Sequence, residues 1–125
     1  MGVVKTTVDV LSPRTTRRKR PRLESLEVLV DTGATLSVLP ETVLDALGVD
    51  RIGKVRVKIG DGRLIVREVG NAPLRVEGQL VWARVIFGKS QDPLVLGLTV
   101  LEQLGLTVDP TARRLIPTEH LLLRL

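Results

Sequence analysis

The chain has 125 residues, 43% of them hydrophobic, which fits a single domain over residues 1–125 with a modest core. It contains no cysteine and one histidine, His120, so disulfides, thiolate metal sites, a cysteine nucleophile and a histidine cluster are excluded, and a Ser-His-Asp triad would have to recruit that one residue. The net charge of +5 is concentrated in "RTTRRKRPR", residues 14–22; with Trp82 and Phe87 the only aromatic residues, there is no stacking platform, and this run reads as a solvated basic loop with no nucleic-acid partner.

In chain order, Val3 to Leu11 is rich in β-branched residues and reads as a strand ended by Ser12-Pro13. After the basic loop, Leu23 to Val30 returns as a second strand that becomes apolar on both faces as it approaches Asp31. Thr32-Gly33-Ala34 reads as a turn and "LSVLP" as a short strand. Pro40, with an acid beside it and Gly48 as a stop, predicts a helix over Pro40 to Leu47 with the proline in its first turn. Lys54 to Ile59 and Leu64 to Val69 alternate on either side of Gly60-Asp61-Gly62-Arg63, the clearest hairpin signal in the chain.

Asn71-Ala72-Pro73 predicts a break before a further strand, Leu74 to Val76. Glu77-Gly78 turns into "QLVWARVIFG", with Val81, Ala83, Val85 and Phe87 on one face and Leu80, Trp82, Arg84 and Ile86 on the other. "LVLG", ending at Gly97, reads as a short buried strand, and "LTVLEQLG" as a helix stopped by Gly105. "LTVD" and "RRLIP" form a hairpin around Asp109-Pro110, and residues 117–125 make an apolar C-terminal tail. No apolar run approaches the roughly 20 residues that span a bilayer, so no membrane association is expected and the expected location is cytoplasmic.

Asp31 is the residue that demands an explanation. A carboxylate among apolar neighbours must be hydrogen-bonded, paired or protonated. It can simply satisfy turn amides at a strand end. Alternatively, two carboxylates can share one proton and act together as base and acid toward a water molecule and a peptide bond, without metal, cysteine or histidine. That chemistry needs two copies of the motif, and no other Asp here is followed by Thr-Gly or Ser-Gly, so it requires a symmetric homodimer with its axis between two Asp31 residues.

"LVDTGA" at Leu29 to Ala34, then "LSVLP", a glycine hairpin and "LVLG" with a helix after it, resembles the retroviral-type, retropepsin-like aspartic proteases, in particular their compact prokaryotic relatives. The resemblance runs from about Leu26 to Ile116 and implies a mainly β, closed-barrel acid protease fold with one or two short helices and a flap hairpin. It implies an aspartic endopeptidase acting on a peptide or protein substrate, without cofactor or metal. Asp31 would be catalytic; Thr32 would tie the two active-site loops together across the dimer, Gly33 would leave space for substrate, and Ala34 would complete the loop. The hairpin Val55 to Val66 would be the flap, with its tip at Gly60 to Arg63 and with Ile59, Gly60, Asp61, Gly62 and Arg63 meeting the substrate, the charges of Asp61 and Arg63 favouring a polar or basic substrate residue. Leu96 and Gly97 would pack behind the active-site loop, and specificity pockets would lie near Ala34, the flap and the strand around Trp82. The competing reading is a catalytically weak peptide-binding or dimerisation module on the same fold.

Overall fold

The alternating and β-branched runs fold into nine strands and two short helices in the computed structural model, which describes residues 3–14, 20 and 22–118. They are β1 (Lys5–Leu11), β2 (Leu23–Asp31), β3 (Ser37–Pro40), α1 (Glu41–Ala46), β4 (Gly53–Lys58), β5 (Leu64–Val76), β6 (Gln79–Gly88), β7 (Val95–Gly97), α2 (Leu98–Leu104), β8 (Leu106–Asp109) and β9 (Arg114–Pro117). Most of the basic segment, residues 15–19 and 21, and the tail from residue 119 on, His120 included, lie outside the described residues.

Six strands close on themselves in the order β1-β2-β7-β3-β6-β5, with β5 returning to β1 through Val8↔Val76 to Val10↔Leu74. The fold is therefore mainly β, a closed six-stranded barrel with two short helices, and it fits the retropepsin-like architecture. Closure removes the sheet edges that an open sheet exposes. The exception is β4, which pairs with β5 alone and stands out from the barrel as half of a hairpin. Inside, Phe87, Leu39, Leu44, Leu74, Leu96, Leu101, Val8, Val10 and Val28 are buried, each such side chain contributing about 1.5–3 kcal/mol. The β6 alternation is as expected, with Ala83, Val85 and Phe87 buried and Leu80, Trp82 and Arg84 exposed; Ile86 is buried as well.

Two local expectations are corrected. Pro40 is not in the helix: at φ −61° and ψ 131° it is extended, closes β3 and caps α1, because its neighbour Leu39 pairs with Phe87 and keeps the chain in the sheet. The break at Asn71-Ala72-Pro73 does not occur either; Leu64 to Val76 is one 13-residue strand. Pro73 pairs with Trp82 on one side and falls on the other between β4, whose last partner is Val69, and β1, whose first is Leu74. Its missing N–H therefore coincides with a change of partner.

Gly70 must be glycine, since a Cβ there would lie 2.3 Å from the Asp50 carbonyl oxygen. Arg51 fastens this region: its guanidinium bonds Glu41, Asp45 and Glu68 and stacks 4.5 Å from the Phe87 ring centre. The Arg51 hydrogen bond, with Lys89 assisting, holds the Glu41 carboxyl below its ordinary range. The β8–β9 hairpin packs on α2 and β1 through Leu106 and Leu115. Among the described residues no helix is long and apolar enough to cross a membrane.

Candidate active site

Asp31 ends β2, opposite Gly97 in the parallel pairing of β2 with β7. The chain then leaves the sheet through Thr32 to Leu36 and re-enters it at β3, and this excursion is anchored at several points. The Gly97 N–H donates to the Ser37 hydroxyl at 2.9 Å, a buried bond on a serine that is 1% exposed. Leu98 N–H donates to the Ala34 carbonyl at 2.8 Å, and Thr99 donates to the Thr35 carbonyl from both its N–H and its hydroxyl, at 3.2 and 2.6 Å. A Cβ on Gly97 would lie 2.7 Å from the Leu36 carbonyl carbon and oxygen, so only glycine lets β7 pass so close behind the loop. Leu96, fully buried beside it, roots β7 in the core.

Asp31 itself is exposed in the single chain. Although it follows the apolar run of β2, the carboxylate stands at the surface of the single chain. Its Oδ1 accepts the Gly33 N–H at 2.9 Å, and its carbonyl accepts the Ala34 N–H at 3.2 Å. A Cβ on Gly33 would come within 3.2 Å of that same Oδ1, so the glycine keeps the carboxylate accessible. Thr32 is exposed, and its hydroxyl makes no hydrogen bond among the described residues.

Two adjoining cavities of about 580 and 420 Å³ open at Asp31, sharing Ala34, Val38, Val57, Lys58 and Ile86. The β4–β5 hairpin forms the facing wall. Ile59 and Gly60 border the smaller cavity, whereas Asp61, Gly62 and Arg63 lie beyond its lining. At the tip the Ile59 N–H donates to the Arg63 carbonyl and the Gly62 N–H to the Ile59 carbonyl, with Gly62 at φ 89°, the positive value the turn requires. Asp61 and Arg63 bond each other at 2.6 Å, both side chains remaining exposed. Trp82, 48% exposed, is outside the lining of both cavities; Arg84 and Ile86 from the same strand are in it.

The hairpin base carries a contact that sequence reading missed. Arg67 on β5 grips Asp92 with two bonds, at 2.6 and 2.9 Å, and both side chains are largely shielded. That bond, with the Lys89 N–H assisting, holds the Asp92 carboxyl below its ordinary range. Ser37 and Thr99 were also missed, because a lone hydroxyl gives no sequence sign of the backbone it will meet 60 residues away. A larger cavity of about 660 Å³ does not reach Asp31, and its charged walls Arg67, Asp92, Glu41 and Lys89 are committed to ion pairs. On the other side of Asp31, Thr32 and Asp31 border an apolar recess of about 410 Å³ with Val3, Val4, Val95 and Val108.

No curated protein matches the chain. The family model described as gag-polyprotein putative aspartyl protease matches residues 23–103, from the start of β2 through almost all of α2, a span that holds Asp31, its anchored loop and the hairpin, and the chain belongs to that aspartyl protease family.

Proposed function

We propose that the chain is an aspartic endopeptidase that works as a homodimer of single-domain protomers, with Asp31 from each protomer forming one carboxylate pair. The observation that carries this reading is the position of Asp31: it heads a loop anchored by Ser37, Gly97 and Thr99 and opens onto a cleft walled by the β4–β5 hairpin. One carboxylate alone cannot serve as both base and acid in the same step. Two of them in contact cannot both ionise easily and hold one proton between them.

In that state the ionised member takes a proton from water, whose oxygen adds to the peptide carbonyl carbon; the protonated member donates to the carbonyl oxygen. Transfer of a proton to the nitrogen then lets the C–N bond break, leaving an acid and an amine, with one water consumed. The Gly33 N–H bonded to Oδ1 fixes the carboxylate orientation, and the absence of a side chain at residue 33 leaves room for the peptide. Thr32, whose hydroxyl makes no hydrogen bond among the described residues and which borders an apolar recess, supports the second protomer packing on this face. Ile59 and Gly60 would close over the bound peptide, and closure would exclude water from the pair.

The test is Asp31→Asn. Cleavage of a peptide library between about pH 3 and 7 falls by at least a thousandfold while the fold and the dimer persist. Undiminished turnover removes the reading; peptide binding by the wild type without products at any pH in this range instead supports the binding-module alternative.

A further inference from the structure

The charges around the cleft are unequal. Besides Asp31, the carboxylate that borders either cavity among the described residues is Asp92, on the smaller one and already held by Arg67. Against these stand Arg56, Lys58 and Arg84, all lining the 580 Å³ cavity, all exposed, and none in an ion pair among the described residues. Elsewhere Arg51, Arg63, Arg67 and Arg75 each have a carboxylate partner, while Lys54, Arg113 and Arg114 have none among the described residues and lie outside both cavities. Arg56 and Lys58 sit on β4, which pairs only with β5, so among the described residues nothing pairs with its outer edge. Val55 and Val57 alternate with them and line the same cavity, and Ile86 completes an apolar strip.

We infer that the cleft selects acidic peptides, with Glu or Asp side chains of the substrate flanking an apolar centre and meeting Arg56, Lys58 and Arg84. The inference rests on the peptidase reading for its site and names the substrate class of that site. An extended peptide places alternate side chains on opposite faces, so acidic residues every second position would suit a wall on which valines and cations alternate. Each exposed ion pair shifts binding by roughly 1.4- to 5-fold, so three acting together give a preference of about 3- to 125-fold. Like-charge contact with a Lys- or Arg-rich peptide widens the gap.

The experiment measures binding to the full chain carrying Asp31→Asn, which separates recognition from turnover. Labelled eight-residue peptide pools share an apolar centre and carry Glu/Asp, Gln/Ser or Lys/Arg on either side, and anisotropy gives their affinities. The acidic pool binds at least ten times more tightly than the basic one, and the gap shrinks to within about threefold between roughly 0.05 and 0.5 M salt. The triple variant Arg56→Gln, Lys58→Gln, Arg84→Gln binds all pools alike; should it fail to fold, Arg84→Gln alone lowers the preference at least twofold. Equal or reversed preference, no binding of the acidic pool, or a gap insensitive to salt and to substitution overturns the inference. Cleavage of neutral pools by the wild type without acidic preference would leave the peptidase reading standing and remove this one. Tight acidic binding without cleavage by the wild type would do the reverse.

Discussion

Two segments border the same cleft and are held by different means. Thr32 to Ser37 is bonded to β7 and α2 through Ala34, Thr35 and Ser37, with Gly97 pressed against its backbone. The β4–β5 hairpin is bonded along one edge of β4 only, with Leu64 59% and Val66 56% exposed, and its base is tied down by Arg67–Asp92. Close packing around the loop means that its geometry cannot adjust to a change of even one methyl group. The hairpin, by contrast, is held along one edge of β4 and by the Arg67–Asp92 pair, and is the less tightly restrained of the two.

This contrast is open to attack by mutation. The largest effect is expected for Gly97→Ala, which drives a methyl to 2.7 Å from the Leu36 backbone; about 3 kcal/mol of stability and roughly 10 °C in melting temperature are lost, read by thermal unfolding. Next comes the hairpin base. Arg67→Ala and Asp92→Asn, taken through a double-mutant cycle in denaturant, show a coupling of about 1.5–3 kcal/mol, the range for hydrogen bonds between charged groups.

That coupling carries a pH signature. The folded Asp92 carboxyl titrates below its unfolded value, so its contribution is complete above about pH 4 and is lost as pH falls through the lowered folded value. The stability gap between wild type and Asp92→Asn therefore stays constant from neutral to mildly acid pH and narrows only below about pH 4. Narrowing already at pH 6 contradicts the assignment.

Ser37→Ala is smaller, about 1–2 kcal/mol, because it strands the buried Gly97 N–H. At the bottom of the scale, Gly60→Ala meets no atom within 4 Å and changes stability by less than about 0.5 kcal/mol. Comparable losses from Gly97→Ala and Gly60→Ala would erase the contrast between the two segments.

The features readable in the sequence were those whose physics is local. Asp-Thr-Gly, the Gly60–Gly62 hairpin tip, the Gly105 helix stop at φ 66° and the inward face of β6 each depend on neighbouring residues, and each was found where expected. The continuity of β5 through Pro73 was not readable, because it depends on a partner change from β4 to β1 set by barrel closure. The Arg67–Asp92 grip and the Ser37–Gly97 bond join residues 25 and 60 positions apart, and neither leaves a periodic trace. The surface position of Asp31 in the single chain was not readable for a related reason: apolar neighbours in sequence do not show that the end of β2 delivers the carboxylate to the cleft mouth.

The central claim is that Asp31 acts only opposite a second Asp31, and a mixing experiment tests it most directly. Wild-type and Asp31→Asn chains are combined in equal amounts, allowed to exchange, and assayed for peptide cleavage at constant total protein. A shared site leaves activity only in wild-type pairs, about one quarter of the unmixed value. Activity that falls to one half, in proportion to the wild-type chains present, would show that each chain works alone and would contradict the account.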